Sequence, residues 1–240
     1  ANVRLAAIDY GEKRTAEAHK RIDDLLVSQP KAVDALILKG RFLASERKID
    51  EAVAKFKEGT QADPNSAAAF YGLGSLHLAR FEYEDAKQAF TEVLKLNPRA
   101  SAAQLQLSRL ALARGDVSGA SDMSEQALRN EPENPIAKLA LARTMIAKGD
   151  FAKAETEMKA LLTTYPNAGP VRSQYGTLYL AKRDFVNARK WFDQALAVDP
   201  KSFEATSGLI AADLASNKPD AAKARLEAAL KATAKDPQLL

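Results

Sequence analysis

Residues 67–100 read AAAFYGLGSLHLARFEYEDAKQAFTEVLKLNPRA. Over the first half, Phe70, Leu73 and His77 or Leu78 fall at helical spacing. Over the second, Ala86, Ala89-Phe90 and Val93-Leu94 do the same. Pro98 stops the second run, because proline has no N–H to donate and clashes with the turn before it. The stretch predicts two helices closed by a proline. One such pair cannot bury its apolar face alone, so it needs neighbours of the same kind stacked against it.

The neighbours are present. Pro30, Pro64, Pro98, Pro132, Pro166 and Pro200 stand 34 residues apart. Twelve residues before each is an alanine (Ala18, Ala52, Ala86, Ala120, Ala154, Ala188), and Ala222 continues the phase. Alanine fills 47 of 240 positions, so seven matches in seven arise by chance about once in 100,000. Eight residues before the proline sit Ile22, Phe56, Phe90, Met158 and Phe192. A Leu or Tyr precedes a small residue at Leu73-Gly74, Leu107-Ser108, Leu141-Ala142 and Tyr175-Gly176. A mid-frame turn recurs as Gly115-Asp116-Val117, Gly149-Asp150-Phe151 and Arg183-Asp184-Phe185. Small residues on the first helix and the in-phase alanine on the second let the two approach closely, and the bulky residue four later fills the space beyond. Asn134-Pro135 reads as a helix cap followed by proline at the first helical position.

This pattern resembles the tetratricopeptide repeat over essentially the whole chain. Residues 67–100 match best, and 169–202 also match with Tyr175-Gly176, Tyr179, Ala188, Phe192, Ala195 and Pro200. The resemblance implies an all-α, right-handed α-solenoid of about seven 34-residue helix-turn-helix repeats. Their bounds are about 1–32, 33–66, 67–100, 101–134, 135–168, 169–202 and 203–240, in a single domain. There are departures. Ser124 replaces the large residue of its frame, which predicts a thinner core under 101–134. Ile210 stands where a small residue is expected and should push helices apart. Gly59 lies inside a helix at a cost of about 1 kcal/mol relative to alanine. The last proline arrives late, at Pro237.

Composition narrows the function. A net charge of +4 is too mild for a nucleic-acid-binding tail or a polybasic membrane anchor. The absence of cysteine removes disulfide scaffolds, thiolate metal sites and cysteine nucleophiles. No apolar run reaches the length of a spanning helix, so direct membrane insertion is not expected. His77 takes the place of a packed residue on its first helix and reads as a core histidine. His19 is expected on the outer face of a second helix. Asp23-Asp24 reads as a solvated pair, and Gly72-Leu73-Gly74 as helix packing rather than half a dinucleotide fingerprint. No nucleophile, acid–base or metal-ligand constellation stands out. No catalytic residue, cofactor or metal is expected.

In the resembled family, ligands lie in a concave groove lined by first helices. The matching columns hold Ile37, Tyr71, Leu105, Leu139 and Ser173, and four residues on Arg41, Ser75, Arg109, Arg143 and Thr177. A groove of aliphatic columns with three arginines fits a protein or peptide partner bearing acidic residues. The chaperone-tail subclass grips a terminal carboxylate with paired lysine and asparagine, and those asparagines are missing here. A second basic row, Arg80, Arg114, Lys148 and Lys182, ends the first helices, where the macrodipole alone favours cations.

The leading expectation is a non-catalytic peptide-binding scaffold. The alternative is a structural spacer or stacking module with an empty groove. The alanine-rich style resembles bacterial arrays of cell-envelope assembly, such as polysaccharide export or protein sorting, which leans toward periplasm or envelope over cytoplasm. The chain reads as a segment of a longer array. That predicts self-association through exposed ends, with Leu209, Ile210, Leu226, Ala229, Leu230 and the tail Gln238-Leu239-Leu240 as candidates.

Overall fold

The computed structural model describes residues 1–234. These form fourteen α-helices and, among the described residues, no strand. The helices are α1 (Asn2–Gly11), α2 (Thr15–Ser28), α3 (Val33–Ser45), α4 (Ile49–Ala62), α5 (Ala67–Ala79), α6 (Tyr83–Leu96), α7 (Ser101–Ala113), α8 (Val117–Asn130), α9 (Pro135–Lys148), α10 (Phe151–Thr164), α11 (Gly169–Ala181), α12 (Phe185–Val198), α13 (Phe203–Ala215) and α14 (Pro219–Ala234). Two helices per frame is the expected α-solenoid of about seven repeats. The chain divides into two compact units, residues 1–115 and 116–240, the second described to residue 234.

Each turn follows from its residues. All six in-phase prolines stand one residue past the C-cap of a second helix, from Gln29-Pro30 to Asp199-Pro200. Within each repeat the turn between helices passes through one left-handed residue: Lys13, Arg47, Phe81, Gly115, Gly149, Arg183 and Asn217, all with φ between 58° and 85°. These are also 34 apart. Asn134 caps α9 by accepting from the Ile136 and Ala137 amides, with Pro135 behind it. Asp116 and Asp184 cap α8 and α12 in the same way.

The core sits where the two phases meet. All seven in-phase alanines are buried, whereas Ala152, two residues off phase, is exposed. The large column packs on glycine. A Cβ at Gly40 or Gly72 would strike the Phe56 ring, one at Gly74 the Phe90 ring, and one at Gly176 or Gly208 the Phe192 ring. Each of Phe56 and Phe192 is thus held between a glycine of its own repeat and one of the next. The Gly72-Leu73-Gly74 triplet is helix packing on both counts. Gly59 is buried, and a Cβ there would meet Ala69 Cβ at 3.4 Å, an ordinary contact distance.

Ser124 is fully buried, and its hydroxyl donates to the carbonyls of Ala120 and Ser121 on its own helix. The division at Gly115 and Asp116 falls inside this repeat. Ile210 is half-buried in the last repeat.

Candidate functional site

The ten expected groove residues divide by burial. Ile37, Leu139 and Ser173 are buried. Ile37 packs with Val53, Phe56 and Leu73, and Leu139 with Leu161, Val171 and Tyr175. Leu139 also lines an apolar notch among α9, α10 and α11. Tyr71, Ser75, Leu105, Arg143 and Thr177 are half-buried. The Tyr71 ring meets Phe90 edge-on at 5.4 Å, and the Ser75 and Thr177 hydroxyls donate back to Tyr71 and Ser173 carbonyls. Arg41 and Arg109 are exposed and make no ion pair or hydrogen bond among the described residues.

The three arginines are therefore not equivalent. In the second unit, Arg143 donates through Nε to Gln174 at 3.0 Å and through Nη2 to Glu204 at 3.0 Å. Its charge is answered within the fold by a carboxylate sixty-one residues away. In the first unit, Arg41 and Arg109 keep theirs.

The second basic row has specific side-chain partners in addition to the macrodipole. Arg80 pairs with Asp50 at 3.0 Å, and Arg114 pairs with Glu84. Lys148 donates to Ser121 Oγ at 2.7 Å, and Lys182 to Glu155 at 3.2 Å. The column continues at both ends: Glu46 lies 2.6 Å from His19 Nε2, and Ser216 receives Arg189. In all six, a residue at the C-terminal end of a first helix (the C-cap, or for Lys148 the last helical residue) is tied to a residue 27 or 30 positions back on the second helix of the preceding repeat. The row is a ladder of ties between repeats, and it tolerates reversed charge at Glu46. His19 is accordingly not on open surface; it is half-buried among Glu46, Tyr10 and Phe42.

One column carries buried polar groups in place of apolar ones. Asp9, His77 and Asp213 occupy the same frame position, and all three are buried. Asp9 accepts from Arg14 and from Arg21 Nε at 3.0 Å. Those hydrogen bonds, Arg14 first, hold its carboxyl below the usual range. Burial pushes Asp213 up, but hydrogen bonds from Arg189 and Arg225 outweigh it and the net shift is downward. His77 Nδ1 stands 2.5 Å from Glu82, five residues on, as Arg14 stands five residues after Asp9. Its role is the core one expected.

His77, Glu82 and Asp85 bring three ligand-type atoms within 4.8 Å of one another. Both Glu82 oxygens are already engaged, one by His77 and one by Arg80 at 2.9 Å. The cluster is sufficiently explained as a tie across the α5–α6 turn. Asp23 and Asp24 are exposed as expected, Asp23 within 2.7 Å of Lys39. In the second unit an apolar notch of about 580 Å³ opens among α9, α10 and α11, with Ile136, Leu161, Tyr165 and Val171 in its wall. At the last repeat, Leu226 and Leu230 are exposed and Ile210 and Ala229 half-buried. Leu209 is buried, which removes it from the expected exposed face. Pro237 and the tail Gln238-Leu239-Leu240 lie outside the described residues. No described helix is long and apolar enough to cross a membrane.

Comparison with known proteins agrees with this geometry. Tetratricopeptide repeat profiles match residues 77–124, 111–175 and 179–240, and a second such profile matches 5–67 and 44–86. No individual curated protein matches the chain by sequence. Among solved structures, a tetratricopeptide repeat protein from Parabacteroides merdae superposes with a TM-score of 0.81 at 14% identity, covering 96% of this chain and 91% of its own. YrrB, described as having an unusual peptide-binding site, gives 0.59 at 17% identity over 78% and 96%. PilW, a type IV pilus biogenesis factor, gives 0.65 at 14% identity over 86% and 96%.

Proposed function

Because the chain belongs to the tetratricopeptide repeat family, whose members generally mediate protein–protein interaction, we propose that it is a non-catalytic scaffold taking an acidic peptide or helical segment along the first helices of its first unit. One observation carries this reading: Arg41 and Arg109 stand exposed and unpaired in a column where Arg143 is neutralised by Glu204. An exposed guanidinium can donate two parallel N–H bonds to a partner's carboxylate. Tyr71, Ser75 and Leu105, half-buried in the matching columns of α5 and α7, supply apolar and hydroxyl contacts. The cell-envelope setting, in polysaccharide export or protein sorting, is supported by the alanine-rich style of the repeats and by the fold likeness to PilW.

Calorimetric titration tests the binding reading. The probe is a helix-forming peptide with Glu and Leu at i, i+3, i+4 spacing, set against its Lys counterpart. The acidic peptide should bind preferentially, and Arg41→Glu or Arg109→Glu should weaken it about three- to tenfold. Arg143→Glu should matter less. If Arg109→Glu leaves capture of a partner by the full-length protein unchanged, the groove reading is lost and the spacer reading takes its place.

A further inference from the structure

Three side chains link three successive first helices of the second unit. Arg143 on α9 donates through Nε to Gln174 Oε1 on α11 at 3.0 Å. Through Nη2 it reaches both carboxylate oxygens of Glu204 on α13, at 3.0 and 3.3 Å. The two acceptors lie 31 and 61 residues further along the chain. The same offsets from Arg41 reach Gly72 and Ala102, and from Arg109 they reach Ala140 and Pro170. None of these four residues has a side chain that accepts a hydrogen bond. One arginine of the column is thus answered, and two are not.

The answered arginine remains within reach of solvent. The side chains of Arg143 and Glu204 are 31% and 42% exposed, and a pair this open adds little to folding. The other charges on α9, α11 and α13 also have partners. Lys138 is held by Glu133, Lys148 by Ser121, Arg172 by Gln194 and the Pro166 carbonyl, and Asp213 by Arg189 and Arg225. The exposed, unpaired Arg41 and Arg109 of the first unit therefore have no counterpart on these three helices.

We infer that Glu204 is a specificity-determining residue: it occupies Arg143 as an acidic partner's carboxylate would, and so keeps an acidic segment off the second unit. This rests on the binding function proposed above and adds the residue that limits where the partner lies. With Nε bonded to Gln174 and Nη2 to Glu204, the forked edge that grips a carboxylate in two parallel bonds is taken. Glu204 belongs to the same fold, so its effective concentration at Arg143 exceeds that of a free ligand. The neutral amide of Glu204→Gln keeps the shape and removes the competing charge.

The test uses the full chain and two probes. One is the acidic helix-forming peptide with Glu and Leu, followed by calorimetry. The other is phenylglyoxal, which modifies accessible arginines, followed by mass spectrometry. Phenylglyoxal should modify Arg41 and Arg109 faster than Arg143 in the parent protein. Glu204→Gln should raise the Arg143 rate at least about twofold and leave the other two unchanged, which also shows that the fold is kept. The peptide should bind Glu204→Gln about two- to fivefold more tightly than the parent. Adding Arg143→Gln should abolish that gain, and Asp193→Asn, which removes an exposed carboxylate from α12, should give none. Equal affinity for parent and Glu204→Gln overturns the inference; if Arg109→Glu still weakens binding, the first-unit function stands without it. A gain that survives Arg143→Gln, or an Arg143 rate indifferent to Glu204→Gln, overturns the inference as well. Binding that ignores Arg41 and Arg109, yet appears with Glu204→Gln and requires Arg143, upholds it and removes the first-unit function. No peptide bound by either protein overturns both.

Discussion

Arg225 donates through Nε to Oδ2 of Asp213 at 2.7 Å, twelve residues ahead of it in the last repeat. Arg21 makes the same bond to Asp9 at 3.0 Å in the first repeat, in the same two columns. Intervening repeats fill the aspartate column with Leu43, His77, Ala111, Met145 and Tyr179. An ion pair in place of aliphatic packing makes both repeats sensitive to acid.

The sign follows from the direction of the shifts. Both carboxyls lie below their ordinary value in the folded chain. Their contribution is complete above the unfolded value of about 3.9 and is lost as the pH falls through the lower folded value. Asp213→Asn leaves Arg189 and Arg225 without their buried partner. At neutral pH it should cost about 2 kcal/mol, less than a fully buried pair because the Arg225 side chain is 39% exposed. Thermal melts of both proteins should converge as the pH drops below the ordinary carboxylate range. A gap of undiminished size at pH 2 would contradict this.

The in-phase alanines give a paired comparison. Ala154 is fully buried, and Ala152 on the same helix is exposed. Ala154→Leu should cost about 1–3 kcal/mol by overpacking, and Ala152→Leu within about 0.5 kcal/mol of nothing. Equal shifts in chemical denaturation midpoint would mean that the phase is misassigned.

Two glycines should respond with opposite sign. A Cβ at Gly208 would lie 2.3 Å from the Phe192 ring, which cannot swing away because Gly176 presses it from the other helix. Gly208→Ala should therefore destabilise by about 1–3 kcal/mol, despite alanine's better helix propensity. At Gly11 nothing lies within 4 Å of the added atom. Gly11→Ala should stabilise by up to about 1 kcal/mol. Destabilisation at both positions would show that propensity and clash are not the governing terms.

What the sequence makes legible is what repeats. Ala154, Phe90 and Pro98 each recur at a fixed phase of their own, and chance does not mimic an alanine column seven frames deep. Burial of the alanines and the two-helix frame follow from that period. The site is legible only in part. A helical stripe containing Ile37 and Arg41 has the same spacing whether it faces solvent or the next helix, so spacing alone does not show that Ile37 and Ser173 are buried while Arg41 is exposed. The bond from Arg143 to Glu204 joins positions 61 apart that share no column. The mid-frame turn is legible at Gly115, Gly149 and Arg183, but its left-handed residue is not legible at Lys13, Arg47, Phe81 or Asn217, because the column shares a backbone conformation and not a side-chain type. The cap ladder was hidden by its chemistry. A column of Glu46, Arg80, Lys148 and Ser216 looks unrelated until each is seen to reach the preceding repeat.

That ladder separates two explanations of one lysine. If Lys182 acts on the α11 macrodipole alone, its contribution is independent of Glu155. If it ties two repeats, the contributions are coupled. Lys182 Nζ lies 3.2 Å from Glu155 and also 5.4 Å from the Tyr179 ring centroid, so Lys182→Gln by itself mixes several losses. A cycle with Glu155→Gln, Lys182→Gln and the double variant removes the shared terms and leaves the pair. Both side chains are partly exposed, which places the expected coupling at about 0.3–1 kcal/mol in low salt, shrinking as salt is added. Urea denaturation of the four proteins at two ionic strengths measures it. A coupling of zero, with Lys182→Gln costing the same in both backgrounds, would return this position to the macrodipole.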